Sequence, residues 1–200
     1  MMLAFDGSSI DGSGYRDVTE LAGRAPGWFD GAVSAWSTYG LAVFAVLLVL
    51  AWWRARRTGA AAALTALAAP VVVVVAYALN DVVKMLVRED RPCRSLHLAT
   101  LEACPAPGDW SFPSNHAAVA AAAAVALLFV SRRLGALAVV AACAMSASRI
   151  WVGAHYPHDV VAGLLVGAVT GVLLMRLVRR RPQQLAGRLS ATRLRLLLGA

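Results

Sequence analysis

Polar residues that could bind and transfer an anionic group concentrate in three short stretches of this sequence. They are residues 84–92 (KMLVREDRP), residues 112–116 (FPSNH) and residues 148–160 (SRIWVGAHYPHDV). Arginine and lysine side chains bind the oxygens of phosphate groups, and the backbone N–H groups at the start of a helix attract anions. A histidine imidazole can attack phosphorus or carry a proton near neutral pH. The residue types therefore indicate chemistry on a phosphate group.

The third stretch contains two residues with the spacing of a base and its orienting group. Asp159 follows His155 by four positions, and Pro157 lies between them. Because proline is favoured in the first turn of a helix, we expect a helix to begin near Pro157. Asp159 would then reach back and hold the His155 ring in one tautomer.

The composition of the chain indicates that these stretches are held in a membrane. Of its 200 residues, 60% are hydrophobic and only 15% are charged, whereas soluble domains carry about 25% charged residues. A helix that crosses a bilayer needs about 20 apolar residues. We therefore predict an all-α fold, a polytopic membrane bundle of about five transmembrane helices. The spans are expected in the uncharged runs at residues 31–53, 58–80, 117–131, 134–148 and 160–175.

The two ends of the chain differ in composition from this membrane region. Residues 1–14 are rich in Gly, Ser and Asp and predict a disordered tail, whereas residues 15–29 predict a short interfacial helix. Three parts follow. They are an N-terminal tail with its interfacial helix (1–30), a membrane domain that contains the three polar stretches (31–180) and a basic cytoplasmic tail (181–200).

The positions of the charges predict the orientation of the bundle. Most basic residues follow the first, third and fifth runs, where no Asp or Glu occurs, and all acidic residues lie on the other side. Basic loops stay in the cytoplasm. The C-terminus is therefore expected in the cytoplasm and the three polar stretches outside. The net charge of +8 does not indicate a nucleic-acid partner, because the basic residues mostly flank spans.

The last three runs are too short to cross a bilayer by themselves. They contain 15 or 16 residues, which cover about 23 Å of helix, while the hydrocarbon core is about 30 Å thick. Their helices must therefore include His116, Arg149 and Asp159, which lie at the same outer end. Ionisable groups at that depth are functional candidates, because they are unstable there unless they face one another or water.

Other interpretations of these histidines remain open at this level. His116, His155 and Asp159 could be ligands of a metal ion, although the neighbouring cations would repel one. A lipid or anion transporter that uses the cations only for binding is the alternative from outside the enzymes. His158 is expected to face away from His155, as a residue of the membrane interface.

Two further arginines have no assigned role. Arg88 and Arg94 follow the second run, where basic side chains often anchor lipid headgroups. Either residue could equally bind the phosphate group.

The residues of the three stretches resemble the three-part signature of the type-2 phosphatidic acid phosphatase superfamily. They also resemble, in SFPSNH and SRIWVGAHYPHDV, the bacterial undecaprenyl pyrophosphate phosphatases associated with bacitracin resistance. The parts occur in the order of the family as Lys84-x6-Arg91-Pro92, then Pro113-Ser114-x-His116, then Ser148-Arg149-x5-His155-x3-Asp159.

The resemblance implies a role for each matching position. His155 would be the nucleophile and form a phosphohistidine, and Asp159 would orient it. His116 would protonate the leaving group and later activate water. The family needs no metal and no other cofactor. Binding of the phosphoryl group would fall to Lys84, Arg91, Ser114 and Arg149.

This sequence departs from the family in two respects. Asn115 stands where many members have glycine, which is expected to reshape the pocket. Some relatives have six spans where five are predicted here, and the segment at 15–29 would replace the missing first one.

The resemblance also implies a substrate and a location. The expected activity is hydrolysis of a polyprenyl pyrophosphate to the monophosphate at the outer face of a bacterial plasma membrane, which recycles the carrier lipid of cell-wall synthesis. The expected partners are this lipid pyrophosphate and membrane lipids, and the sequence indicates no oligomeric state. Phosphatidylglycerol phosphate, phosphatidic acid and a decaprenyl-phosphoryl sugar phosphate are the alternative substrates.

The three cysteines fall in two settings. Cys93 and Cys104 lie 11 positions apart in the predicted outer loop, in a compartment that permits disulfides. A disulfide between them is predicted, and two free thiols are the alternative. Cys143 lies within the fourth run and is expected to be an inert packing residue.

Overall fold

The computed structural model describes residues 5–180, together with residues 183, 184, 187, 197 and 198. No strand occurs within these residues, and their extended pairing is limited to a bridge between Phe5 and Glu89. The all-α prediction is therefore confirmed. The helices are α1 (Ser8–Gly23), α2 (Gly27–Tyr39), α3 (Leu41–Ala55), α4 (Ala60–Val87), α5 (Pro92–Ser95), α6 (Asn115–Val130), α7 (Arg132–Trp151) and α8 (Pro157–Arg180).

Helix α6 lies at the centre of the bundle, in contact with α3, α4, α7 and α8. Its alanines are mostly buried, and such small side chains let membrane helices approach closely. Two glycines of α8 allow its backbone to lie directly against that of α6. A Cβ at Gly163 would clash with Ser114 O at 2.4 Å, and one at Gly167 would clash with Ala118 O at 2.1 Å. The start of α8 is thereby fixed beside the start of α6.

The helices are those of a membrane protein. Helices α4, α7 and α8 are each long and apolar enough to cross a bilayer, and α2 with α3 forms a pair bent by 52° that passes the same test together. Helix α6 is apolar but shorter, with 16 residues. By length and composition the described residues therefore hold three spans, or four with the bent pair.

The helices extend to include polar residues at the end of the bundle where the three stretches lie, as their short apolar runs predicted. Helix α4 continues to Val87, beyond the predicted end at residue 80, and carries Lys84 in its last turn. Arg149 lies in the last turn of α7 and Asp159 in the first turn of α8. Helix α8 begins at Pro157, where the proline predicted a helix start.

The N-terminal region differs from the prediction. Helix α1 begins at Ser8, so much of the predicted disordered tail is helical, with one non-helical residue at Asp11. Tertiary contacts explain the difference, because Tyr15 is fully buried and its hydroxyl donates a hydrogen bond to Gly153 O at 2.9 Å. Helices that are weak by propensity are commonly stabilised by such packing. The predicted interfacial helix at 15–29 is interrupted after Gly23.

Most of the predicted basic tail at 181–200 lies outside the described residues. The three-part division of the chain therefore stays a prediction.

Candidate active site

The three polar stretches meet at one end of the bundle, and their candidate side chains are buried there except for the half-buried His116. Each of these residues lies at the end of a helix or in the turn next to it. Lys84 and Arg149 come from the last turns of α4 and α7, and Asp159 comes from the first turn of α8. Arg91 and Ser114 immediately precede α5 and α6, and His155 lies in the turn before α8.

His155 and Asp159 face each other, and Ser111 joins them. Asp159 Oδ2 lies 3.4 Å from His155 Nδ1 and accepts a hydrogen bond from Tyr156 N–H at 2.9 Å. Ser111 Oγ donates to the same Asp159 oxygen and lies 3.4 Å from His155 Nδ1. The His155–Asp159 separation is longer than a typical N–H···O bond, and such bonds commonly tighten when substrate binds. Ser111 is the first residue of the SFPSNH stretch, but it was not singled out because the three-part signature begins at Pro113 there.

The other nitrogen of the His155 ring faces Arg91. Arg91 Nη1 lies 3.2 Å from His155 Nε2 and also donates to Ala154 O at 2.8 Å. A guanidinium has no acceptor, so a hydrogen bond between them requires a lone pair on Nε2. The proton of a neutral ring would then be on Nδ1, the nitrogen that faces Asp159.

The surroundings of His155 keep its ring neutral. Burial has the largest effect, followed by the positive charges of Arg91, Lys84 and Arg149, and together they lower the pKa of His155 well below its usual value of 6.5. A neutral imidazole with a lone pair on Nε2 is the form that can act as a nucleophile.

Arg91 and Lys84 both hold the loop at residues 109–111. Arg91 Nη2 pairs with Asp109 Oδ1 at 2.8 Å, and Arg91 Nε donates to Asp109 O at 3.1 Å. Lys84 Nζ donates to Trp110 O at 2.7 Å and to Ser111 O at 3.1 Å. The two predicted phosphate ligands therefore contact protein oxygens, and they position Ser111 beside His155.

Arg149 has a separate set of partners. Its Nη1 donates to Ser37 Oγ and to Glu102 Oε1, the latter at 3.2 Å. Ser37 Oγ donates in turn to Glu102 Oε1 at 2.7 Å. Neither Ser37 nor Glu102 was predicted, because both are far from Arg149 in sequence and belong to no motif.

The start of α6 brings Ser114 and His116 to the site. Ser114 N–H donates to Asp159 O at 3.0 Å, which links the second stretch to the third. Asn115, the departure from the family pattern, accepts a hydrogen bond from Asn80 Nδ2 at 2.6 Å. Asn80 also donates to Pro113 O at 3.2 Å, so this pair ties the loop before α6 to α4. His116 is half-buried in the first turn of α6.

The remaining candidates lie around this core. Cys93 and Cys104 form a disulfide in the structure, with a Cα–Cα distance of 5.9 Å. Arg94 donates to Pro105 O in the same loop, whereas Arg88 donates to Met85 O at the end of α4.

His158 packs against carboxylates of the protein, which the sequence did not predict. Its Nδ1 is 2.7 Å from Asp11 Oδ1, and its Nε2 is 2.9 Å from Glu89 Oε1. Its side chain is 16% exposed. Neither Asp11 nor Glu89 was singled out from the sequence, since they are distant from His158 along the chain.

A model of the PAP2 superfamily matches residues 65–183 of this chain, which is more than half of its length. The chain belongs to the PAP2 superfamily. The predicted resemblance is therefore confirmed, and the matched region contains all three polar stretches.

Curated relatives of this PAP2 protein include lipid phosphatases. It is 36% identical over 103 residues to "Undecaprenyl-diphosphatase BcrC" of Bacillus subtilis, a match that covers 52% of each chain. It is 41% identical over 101 residues to "Decaprenylphosphoryl-5-phosphoribose phosphatase" of Mycobacterium tuberculosis, which covers 50% of this chain and 54% of the relative. The chain spans about half the length of the curated relatives it matches.

A solved structure shares the fold of this PAP2 protein. The PAP2-type phosphatidylglycerolphosphate phosphatase of Bacillus subtilis superimposes with a TM-score of 0.63 at 20% sequence identity, over 84% of this chain and 86% of that one. The similarity is one of fold, and it extends beyond the three stretches to most of the bundle.

Proposed function

We propose that this PAP2 protein is a phosphatase that hydrolyses a polyprenyl diphosphate to the monophosphate through a phosphohistidine. The observation that carries the proposal is the setting of His155. Its ring is buried, Asp159 faces Nδ1 at 3.4 Å, and a guanidinium faces Nε2 at 3.2 Å. The names of the two relatives, an undecaprenyl-diphosphatase and a decaprenylphosphoryl-5-phosphoribose phosphatase, support a polyprenyl-linked phosphate as the substrate class.

The reaction would take two displacement steps at the terminal phosphorus. In the first, the lone pair on His155 Nε2 attacks phosphorus, and the bond to the bridging oxygen breaks. His116 gives its proton to that oxygen, so the lipid monophosphate leaves. Asp159 stabilises the positive charge that develops on the His155 ring.

In the second step, water hydrolyses the phosphohistidine. His116 now takes a proton from the water, whose oxygen bonds to phosphorus as the P–N bond breaks. Inorganic phosphate leaves and His155 regains its lone pair. The same residue serves as acid and then as base, as microscopic reversibility allows.

Two buried groups support phosphoryl binding at this position. Among the described residues, Ser114 Oγ and Arg149 Nε have no hydrogen-bond partner. Buried polar groups are normally paired, and phosphate oxygens would supply the missing acceptors. Lys84 would exchange its bonds with the carbonyls of Trp110 and Ser111 for phosphate oxygens.

An apolar cavity beside Arg149 would receive the start of the lipid chain. It has a volume of about 410 Å³, lies between α2 and α7, and is lined by Phe29, Trp36, Ala147 and Trp151 among others. Ser148, which precedes Arg149, also lines it. An Ala147→Trp variant should raise KM for undecaprenyl diphosphate more than KM for inorganic diphosphate, which has no lipid chain to enter the cavity.

A decaprenyl-phosphoryl sugar phosphate is the second candidate substrate. The 41% identity to the Mycobacterium tuberculosis relative favours it. Both substrates present a terminal phosphoryl group on a polyprenyl lipid, so the same chemistry applies. A comparison of kcat/KM for the two lipids distinguishes them.

We further propose that the site faces the outside of a bacterial plasma membrane and that five segments cross it, with α6 as the short one. The basic residues that follow α3 support this orientation. In a Cys143→Ser background, a Thr58→Cys variant should resist a membrane-impermeant thiol reagent in intact cells. The matched Pro107→Cys variant, in the exposed outer loop, should label readily, and the reverse pattern would invert the topology.

The direct test of the activity uses purified protein in detergent. Release of inorganic phosphate from undecaprenyl diphosphate in the presence of EDTA is the expected result. Tight binding of the lipid without phosphate release would indicate a transporter. Release that stops when EDTA is added would indicate metal-dependent hydrolysis.

A further inference from the structure

A second histidine, His158, lies among carboxylates next to the site. Asp11 from α1 faces its Nδ1 at 2.7 Å, and Glu89 from the segment after α4 faces its Nε2 at 2.9 Å. Asp159 Oδ1, on α8 itself, lies 3.5 Å from the same Nε2. The aromatic rings of Phe112 and Tyr156 lie roughly parallel to the imidazole, with centroids 6.0 and 5.3 Å away.

The hydrogen-bond partners determine the charge of His158. An ionised carboxylate can only accept a hydrogen bond. Because each ring nitrogen of His158 faces a different carboxylate, both nitrogens must carry a proton if Asp11 and Glu89 are ionised. His158 is then an imidazolium.

Glu89 and Asp159 depend on that charge. Glu89 is 1% exposed and Asp159 is fully buried. The ligand atoms of Glu89, His158 and Asp159 all lie within 4.8 Å of one another. Asp159 Oδ1 has no hydrogen-bond partner among the described residues. Within the part of the chain that the structure describes, His158 is the one cationic group within 4 Å of Glu89.

We propose that His158 is a positioning residue, a permanent imidazolium that keeps Asp159 ionised in the presence of Glu89. The proposal rests on the proposed function in that Asp159 acts there on His155. It assigns to Glu89 and Asp11 the role of holding the His158 ring between them.

Loss of the His158 charge would act on Asp159 through Glu89. Two buried carboxylates this close cannot both remain ionised without a cation, and one of them takes up a proton. A protonated Asp159 cannot stabilise the charge that forms on His155 during attack. The chemical step would slow, whereas binding of the phosphate group, which uses other side chains, would change little.

The same three side chains could instead surround a divalent cation. A metal needs a lone pair on His158 Nε2, with the proton on Nδ1 bonded to Asp11, which is the usual arrangement of a metal-bound histidine. The two interpretations therefore differ in one proton, the one on Nε2.

Activity measurements on three variants test the proposal. A His158→Gln variant should lower kcat by roughly tenfold or more with little change in KM. The double variant His158→Gln/Glu89→Gln should recover most of that loss, because it removes the second carboxylate along with the cation. Asp11→Asn is the matched control: it removes a negative charge on the side of His158 away from Asp159 but keeps an oxygen that can accept from Nδ1–H, so it should affect kcat far less than His158→Gln.

If His158 has a purely structural role, the kcat of the double variant should be no higher than that of His158→Gln. If His158 only ties α1 to α8, then removing Glu89 as well deletes a further contact and cannot restore kcat. No recovery in a double variant that is folded, as judged by its melting temperature, overturns the proposal. Phosphate release by the wild-type protein tests the proposed function separately.

Nitrogen NMR of the histidine-labelled protein without substrate provides a readout that needs no activity. The signal that disappears in His158→Gln should show both ring nitrogens protonated near neutral pH, and it should not change with EDTA. A signal with an unprotonated Nε2, or one that shifts when EDTA removes a metal ion, overturns the assignment even if the protein hydrolyses no lipid.

Discussion

His155 and His158 lie three positions apart, and the structure gives them opposite electrostatic surroundings. The Nε2 atom of His155 faces the guanidinium of Arg91, and only its Nδ1 faces a carboxylate. Both nitrogens of His158 face carboxylates. Two identical side chains on one turn are therefore expected to differ in charge, the first neutral and the second positive.

This difference shows how one short stretch can supply both a nucleophile and a charged support for it. Asp159 lies between the two rings, with Oδ2 toward His155 and Oδ1 toward His158. A neutral ring is needed where a lone pair must attack, and a positive ring is needed where buried carboxylates accumulate. Neighbouring charges, rather than residue type or spacing, assign the two tasks.

The largest expected effect concerns the neutral member of the pair. A His155→Asn variant should lose turnover by about 10³-fold or more, because it removes the nitrogen that is proposed to accept the phosphoryl group. Binding of vanadate, a phosphate analogue, should largely survive, since the cations remain. A variant that retains a tenth of the wild-type activity would exclude His155 as the nucleophile. The kcat of His158→Gln should lie between those of the wild-type protein and His155→Asn.

The pattern of residues predicted the neutral histidine better than the charged one. His155, Asp159, Arg149 and Ser114 belong to compact motifs whose spacing follows from one helix turn or one helix start. Asp11, by contrast, is separated from His158 by 147 positions. No local pattern connects two residues that only the packing of α1 against α8 brings together, and the same holds for Glu102 and Arg149.

The fold was predictable to a similar extent. Long apolar runs predicted α4, α7 and α8, because hydrophobic length is a property of the local sequence. The bend between α2 and α3 was not predicted, since the run at residues 31–53 contains no proline and its glycines gave no clear signal. The first half of helix α1, residues 8–14, was predicted to be disordered because tertiary contacts such as that of Tyr15 stabilise a segment of weak helix formers.

The dependence of the melting temperature on pH tests whether the His155 ring is neutral in the folded protein. The pKa of His155 is lowered on folding, chiefly by burial, so the unfolded chain binds more protons than the folded one below the usual pKa of 6.5. Its contribution to stability therefore decreases as the pH falls below about 6.5. The melting temperature of the wild-type protein should fall more between about pH 7.5 and 5.5 than that of His155→Asn. Equal losses in the two proteins would show that His155 is not held neutral.

The disulfide acts on Arg91, the cation that faces His155, and its expected effect on turnover is the smallest. Cys93 lies two residues after Arg91, and its bond to Cys104 closes an 11-residue separation. A Cys93→Ser/Cys104→Ser variant should be less stable by roughly 3 kcal/mol in the chain-entropy model. KM should rise modestly because Arg91 is less firmly held, and kcat should change little.

Mass spectrometry of unreduced, alkylated protein checks the bond itself. A cross-linked peptide that contains both cysteines is expected. Alkyl groups on both Cys93 and Cys104 without prior reduction would mean that the loop is held by its prolines and packing alone.

The most direct test of the central claim is to trap the phosphorylated protein. Wild-type protein is mixed briefly with undecaprenyl diphosphate that is radiolabelled on its terminal phosphate, then quenched in alkali and digested. A label is expected on the peptide that contains His155, stable in alkali and lost in acid, as for a phosphohistidine, and it should be absent from His155→Asn. An acid-stable label on the peptide of Ser114, or undiminished labelling of His155→Asn, would contradict the claim.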